Sequence, residues 1–170
     1  MGVLSLQGAV EEHIEALQKY GAEAIPIKKA EGFKGLDGLV IPGGESTTIG
    51  KLINRFQLAE PIRELFARGK PILGTCAGLI FLAAELENEE PHLGLLSVKV
   101  RRNAFGRQRE SFETNIDIAA LGSEPFPAVF IRAPYISAVS EGIHILAAYE
   151  GKVAAVRLMK GRLLPYAREI

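Results

Sequence analysis

The sequence lacks the features that would tie it to an oxidising compartment, a membrane or nucleic acid. Its single cysteine, Cys76, cannot form an internal disulfide. Its 20 Lys and Arg balance its 20 Asp and Glu, so no net field attracts nucleic acid or an anionic membrane surface. Its first residues, MGVLSLQGAVEEH, hold neither a basic region nor an apolar run long enough for a signal peptide or a membrane span. We therefore expect a cytoplasmic protein whose partners are small molecules or other proteins.

What is present suits one globular domain of ordinary size. A chain of 170 residues can bury a sizeable core without disulfides or a structural metal. No internal repeat, low-complexity tract or linker divides the sequence, so we expect a single domain over residues 1–170.

Short apolar runs alternate with helical patterns in the first half of the chain. This βαβα order predicts an α/β fold of three layers, with a mostly parallel sheet and helices on both faces. Gly21 and Gly69 stand where helices should end. The second half reads as strands without a convincing helix, which predicts antiparallel hairpins that extend the sheet. The strand-like runs are VLSL, AIPI, GLVIPGG, PILGT, GLLSVKVRR, FETNIDI, AVFIRAP, HILAAYE and KVAAVRLM, and the helical ones AVEEHIEALQKYG, STTIGKLINRF, AEPIRELFARG and AGLIFLAAELE.

Three turns follow strands of the predicted parallel sheet, where ligands of such folds bind. The first is LQGA, with Gln7 and Gly8. The second is PGGESTT, where paired glycines allow close backbone approach and Glu45 and Ser46 lead into a helix whose N–H groups can receive an anion. The third is GTCAG. Paired glycines also mark plain tight connections, so the second turn does not identify a site by itself.

The third turn carries the reactive candidate, Cys76. A strand, G-x-C-x-G and a helix together form the thiol counterpart of a nucleophile elbow, which pushes the side chain out of the sheet. The following helix N-terminus favours the thiolate, and the Ala77 N–H is the natural oxyanion donor. The alternative is a cysteine that fills the core as a small hydrophobe.

Several segments together resemble the glutaminase subunit of pyridoxal 5'-phosphate synthase, a class I glutamine amidotransferase. They are LSLQGAVEEH, LVIPGGESTT, KPILGTCAGLI, PHLGLL, RNAFGRQ, SFE and VFIRAP, and the match runs from about Gly2 to about Arg157. The resemblance implies a flavodoxin-like fold in which a cysteine thiolate attacks the side-chain amide of L-glutamine. Ammonia then passes to a separate, barrel-shaped synthase subunit that assembles the vitamin B6 cofactor.

The resemblance also implies roles for individual residues. Cys76 matches the nucleophile, and Gly44 joins Ala77 in the oxyanion hole. Substrate-binding positions of the family match Gly44, Glu45, Ser46, Arg102, Ile131 and Arg132. Without the motifs, the two arginines would be interpreted as solvated surface charges. We expect neither a metal nor a cofactor at the site, and we expect the loop of Gln7 and Gly8 to respond to the synthase subunit.

The resemblance departs near the C-terminus. After KVAAVR the family continues with a strand, an S-F-H-P-E segment and a helix, and that histidine and glutamate complete a Cys-His-Glu triad. Here the chain reads LMKGRLLPYAREI, and neither Glu169 nor any of the three histidines matches the triad. His13, His92 and His144 are interpreted as surface or core residues. We expect either a frame-shifted or truncated glutaminase or a naturally weakened member, with slow glutamine turnover in both cases.

Three function hypotheses follow. The first is the glutaminase subunit itself. The second is a catalytically impaired scaffold that binds the synthase without releasing ammonia. The third is a DJ-1-like cysteine protein, which would share the elbow but would not explain NAFGRQ, SFE or FIRAP.

Overall fold

The computed structural model of the protein describes residues 1–102, 112–130 and 133–158. The elements of the first part of the chain are β1 (Gly2–Leu4), α1 (Val10–Lys19), β2 (Ile25–Ile27), β3 (Leu39–Ile41), α2 (Ser46–Arg55), α3 (Ala59–Ala67), β4 (Ile72–Gly74) and α4 (Ala77–Leu82). Their strands form a four-stranded sheet in the order β2-β1-β3-β4, and every neighbouring pair is parallel. Short 3-10 turns lie at Ala30–Phe33 and Ala119–Leu121. The predicted parallel sheet is confirmed.

Helices cover both faces of this sheet because successive strand side chains point to opposite sides. Val3 and Val40 pack against Val10 of α1 on one face. Leu39 and Ile41 belong to the larger core on the other face. The helical members of that larger core come from α2, α3 and α4: Ile49, Ile53, Ile62, Leu65, Ala77, Phe81 and Leu82.

Glycines end two helices as predicted. Gly21 follows α1 with φ +77°, and Gly69 follows α3 with φ +74°. The N–H of Gly21 donates to the carbonyl of Gln18, and the N–H of Gly69 to that of Phe66. These bonds satisfy carbonyls that the last helical turn leaves unpaired.

The predicted fourth helix is too long. Residues of AGLIFLAAELE form α4 only as far as Leu82, and the chain then continues as β5 (Ala83–Leu86). β5 pairs in parallel with β6 (Leu96–Arg101) and buries Ala83 and Leu86 beside Val98. Helix-favouring residues thus adopt a strand because a partner strand and a second core lie beside them.

The second half forms its own sheets and does not extend the parallel one, which corrects the prediction. The remaining strands are β7 (Phe112–Ile116), β8 (Phe126–Phe130), β9 (Tyr135–Val139), β10 (Ile143–Tyr149) and β11 (Lys152–Leu158). β5 and β6 join three of them in the order β10-β11-β9-β6-β5, while β7 and β8 form a separate antiparallel pair. Strand β9 was not predicted. The predicted antiparallel hairpins are confirmed.

Within the described ranges, no helix has the length and hydrophobicity to cross a membrane.

Helix α2 begins with a carboxylate cap. Glu45 is the N-cap, and its side chain accepts hydrogen bonds from the Thr47 N–H at 3.0 Å, the Thr48 N–H at 2.7 Å and the Thr48 hydroxyl at 2.6 Å. These bonds, that of the Thr48 hydroxyl first, lower the pKa of Glu45 to about 2. The Thr47 and Thr48 amides are therefore occupied by this carboxylate, and the binding of an external anion at this helix start stays a prediction.

Glycine is required where α4 packs against β3 and β4. A Cβ on Gly78 would lie 2.0 Å from the carbonyl oxygen of Ile41 in β3, and a Cβ on Gly74 would lie 2.6 Å from the Gly78 carbonyl. Gly50 in α2 differs, because its Cβ would meet only side-chain atoms of His92 and Phe81 at 3.5 Å. The two helical glycines, Gly50 and Gly78, therefore form a matched pair for substitution.

We expect Gly78→Ala to lower the free energy of unfolding by more than about 2 kcal/mol, since backbone must move to admit the methyl group. Gly50→Ala should leave it unchanged or raise it by up to about 1 kcal/mol, because alanine is the better helix former. Urea unfolding of both variants checks this. Equal midpoints for the two would contradict the close approach of α4 to β3.

We expect Glu45→Gln to destabilise the protein at pH 7 and to have a smaller effect at acid pH. The folded-state pKa of Glu45 is depressed, so its stabilisation is present above the unfolded value of about 4.5 and is lost as the pH falls towards about 2. Urea unfolding at pH 7 and pH 3 measures both effects. Glu64→Gln, on the exposed face of α3, is the control. A constant loss at both pH values would contradict the cap.

Candidate active site

Cys76 lies at a strained turn between β4 and α4. It is the N-cap of α4 with φ 50° and ψ −104°, a conformation that costs a non-glycine residue about 1–3 kcal/mol. Its side chain is exposed, which rules out a core-filling role. The strand, turn and helix of a nucleophile elbow are all present, as predicted.

The diglycine turn lies against this elbow. The Gly43 N–H donates to the Thr75 hydroxyl at 3.0 Å. A Cβ on Gly43 would lie 3.2 Å from the Cβ of Cys76, so glycine allows the turn to approach the nucleophile closely. Gly44 follows directly in this turn. Ala77 is the first residue of α4, where helix geometry leaves the N–H without an intrahelical acceptor.

The loop after β1 is bound to the same turn. The Gln7 side-chain oxygen accepts from the Glu45 N–H at 2.8 Å, and the Ala9 N–H donates to the Gly43 carbonyl at 3.0 Å. Gly8 has φ +103°, and a Cβ there would lie 1.9 Å from the Gly43 oxygen. The sequence indicated only that these strand ends are neighbours. The structure joins them by direct hydrogen bonds.

Arg102 and Ser46 are brought together across 56 residues of sequence. Arg102 Nη2 donates to Ser46 Oγ at 2.5 Å, while Nη1 donates to both carboxylate oxygens of Glu89 at 2.6 and 2.8 Å. Ser46 is buried, and 28% of the Arg102 side chain is exposed. Arg102 is therefore a fixed, partnered group and not a solvated surface charge. Sequence reasoning missed Glu89, because nothing in ENEE distinguishes it from its acidic neighbours.

A cavity of about 220 Å³ adjoins this ion pair. Among its lining residues are Lys51, Glu89, His92 and Arg102, with Thr47, Gly50 and Asn54 from α2. A second cavity, of about 140 Å³, is also lined by His92. Burial lowers the pKa of His92, whose ring centroid lies 4.5 Å from that of Phe81. Of the described residues that line these cavities, none is Cys76.

The other two histidines have different surroundings. His144 is exposed on β10 opposite Arg157, as expected for a surface residue. His13 is half-buried next to the elbow, where Nε2 lies 3.1 Å from Thr75 Oγ1 and Nδ1 lies 2.6 Å from the Ala9 carbonyl oxygen. Sequence reasoning took it for a surface or core residue and missed this position. Its location in LQGAVEEH, beside the first turn, was the available signal.

Two predicted substrate-binding residues cannot be placed. Ile131 and Arg132 lie outside the residues that the structure describes. In the described ranges, no group of three or more His, Cys, Asp or Glu side chains could hold a metal ion.

The chain is similar to two bacterial proteins over most of its length. It is 53% identical over 158 residues to "Pyridoxal 5'-phosphate synthase subunit PdxT" of Geobacillus kaustophilus (strain HTA426), covering 92% of this chain and 80% of that one. It is 49% identical over 168 residues to the protein of the same name from Moorella thermoacetica (strain ATCC 39073 / JCM 9320), covering 98% and 88%. Both relatives support the predicted family.

Solved structures agree. The crystal structure of a glutamine amidotransferase is 45% identical in sequence, with a TM-score of 0.85 over 92% of this chain and 83% of that one. PurLQS from Thermotoga maritima shares the fold alone, at 17% identity and a TM-score of 0.67 over 91% and 74%. The family model described as "SNO glutamine amidotransferase family" matches residues 3–167, which extends the match beyond Arg157. The chain belongs to the SNO glutamine amidotransferase family.

Proposed function

We propose that this protein hydrolyses L-glutamine at Cys76 and supplies the ammonia to a pyridoxal 5'-phosphate synthase subunit. The observation that carries the proposal is the exposed, strained Cys76 elbow packed against the Gly43–Gly44 turn. An exposed cysteine beside close-lying backbone amides suits attack on a carbonyl carbon. The names of the relatives support the synthase as partner.

The reaction consists of two transfers at Cys76. The sulfur attacks the side-chain amide carbon of glutamine, the C–N bond breaks, and the thiol proton leaves with the nitrogen as ammonia. Water then adds to the thioester carbon, the C–S bond breaks, glutamate leaves, and the proton returns to sulfur. In each step the carbonyl oxygen gains negative charge, which we assign to the N–H groups of Gly44 and Ala77.

The amino-acid head of the substrate is assigned to the neighbouring polar groups. The Ser46 hydroxyl and the Arg102 Nη2 group that donates to it lie side by side, and together they can bind a carboxylate. Glu45 is ionised at neutral pH and exposed, so it can accept from the substrate ammonium while it caps α2. The resemblance adds Ile131 and Arg132 to this set. The cytoplasm remains the predicted compartment.

The test is ammonia release from L-glutamine, measured with and without purified synthase subunit. We expect release that requires Cys76, together with a γ-glutamyl adduct on Cys76 detected by mass spectrometry after rapid quenching. Cys76→Ser should abolish both signals, since the hydroxyl is a far weaker nucleophile near neutral pH. Ser97→Ala, in β6, is the control for folding and handling.

Two outcomes would contradict the proposal. Synthase binding without ammonia or adduct would indicate the scaffold alternative. Ammonia release that survives in Cys76→Ser would remove this cysteine from the chemistry.

We expect Arg102→Gln to weaken L-glutamine binding about tenfold, the loss typical of one charge-assisted hydrogen bond. Calorimetry in the Cys76→Ser background measures affinity without turnover. Arg55→Gln, at the end of α2, is the matched control and should bind as the parent does. Equal affinity in Arg102→Gln would place the carboxylate elsewhere.

A further inference from the structure

We propose that His13 is a positioning residue that fixes the Cys76 elbow relative to the diglycine turn through the Thr75 hydroxyl. The inference rests on the proposed glutaminase function and adds to it a residue that none of the predicted site positions includes. His13 does not act as the base here. It acts through Thr75, the residue before the nucleophile.

Four residues form a closed ring of hydrogen bonds around the elbow. The Gly43 N–H lies 3.0 Å from Thr75 Oγ1, which lies 3.1 Å from His13 Nε2. His13 Nδ1 lies 2.6 Å from the Ala9 carbonyl oxygen, and the Ala9 N–H lies 3.0 Å from the Gly43 carbonyl oxygen. The ring joins the loop after β1, the diglycine turn and the elbow.

The chemistry of the groups fixes the proton on His13 Nδ1, and for the neutral ring it fixes the other protons as well. A carbonyl only accepts, so His13 Nδ1 carries the proton that it donates to Ala9. Nε2 of the neutral ring is then an acceptor. The Thr75 hydroxyl accepts from the Gly43 N–H and donates its single proton to Nε2. One tautomer of His13 satisfies all four bonds.

The ring controls the two groups that the reaction uses. Thr75 immediately precedes Cys76, so its side chain helps to hold the strained backbone of the elbow. The Gly43 carbonyl and the Gly44 N–H belong to one planar peptide unit. Because Ala9 holds that carbonyl, it also sets the direction of the Gly44 N–H that we assign to the developing oxyanion.

His13 could either anchor the start of α1 or position the Cys76 elbow. Two conservative substitutions of His13 distinguish these roles. His13→Asn keeps a donor near the Nδ1 position for Ala9 but is too short to reach Thr75. His13→Gln places its amide near the Nε2 position for Thr75 but loses the bond to Ala9. If His13 only anchors the start of α1, the labelling rate of Cys76 should follow the stability of the variant, and Asn should be the better substitute. If His13 positions the elbow, the reactivity of Cys76 should depend on the hydrogen bond between residue 13 and the Thr75 hydroxyl, and Gln should be the better substitute.

The experiment compares two reagents on Cys76 in the full chain. When a chloromethyl ketone analogue of glutamine reacts with Cys76, negative charge develops on its carbonyl oxygen. When iodoacetamide reacts, the sulfur displaces iodide directly at carbon. We expect His13→Asn and Thr75→Val each to lower the ratio of the two labelling rates about tenfold, less than the loss of a whole oxyanion donor. The double variant should fall no further than either single one. His13→Gln and Thr75→Ser should stay within about threefold of the parent, and His144→Asn is the control.

A second readout does not depend on reactivity. In ¹⁵N spectra recorded above the usual histidine pKa of about 6.5, the His13 ring should show the Nδ1–H tautomer, and Thr75→Val should shift the Nε2 signal. An Nε2–H tautomer would overturn the proposal, and so would a parent-like rate ratio in His13→Asn. If the parent does not prefer the glutamine analogue over its leucine analogue, the proposed function fails, while the ring spectrum still decides the role of His13.

Discussion

The site depends on the close approach of backbone to backbone at the carboxyl edge of the parallel sheet. Gly8 fits against the carbonyl of Gly43, and Gly78 fits against the carbonyl of Ile41, at distances where a Cβ would overlap the oxygen. Residues without a Cβ let three turns and a short helix meet in one small volume. The elbow, the diglycine turn and the first loop could not otherwise share hydrogen bonds.

This crowding determines what each polar group does. Glu45 uses its carboxylate to cap α2, which leaves its charge at the edge of the site but occupies two amides. Arg102 is held between Ser46 and Glu89, so the guanidinium of the residue that follows β6 is fixed beside α2. His13 lies on α1 yet is bound to the residue before the nucleophile. The roles of Arg102 and His13 depend on contacts between segments that are far apart in sequence, whereas the Glu45 cap is local.

The limits of sequence reasoning are clearest after Leu82. AGLIFLAAELE has the composition of a helix, but its second part pairs with β6 as a strand, because the second core and a partner strand outweigh local preference. The same reasoning predicted hairpins correctly but attached them to the parallel sheet. Periodicity reveals which residues are buried. It does not reveal which sheet buries them.

The sequence by itself determined the parallel βαβα order, the helix ends at Gly21 and Gly69, the elbow at Cys76 and the family, because these depend on local spacing and on glycine chemistry. Only the tertiary structure decided that Glu89 partners Arg102, that the Glu45 carboxylate occupies the start of α2, and that His13 reaches Thr75. The first and last of these contacts join residues from different segments, and a hydrogen bond between such residues exists only once packing has fixed both ends. The Glu45 cap is local, but glutamate is not among the preferred N-cap residues, so its sequence position did not indicate it.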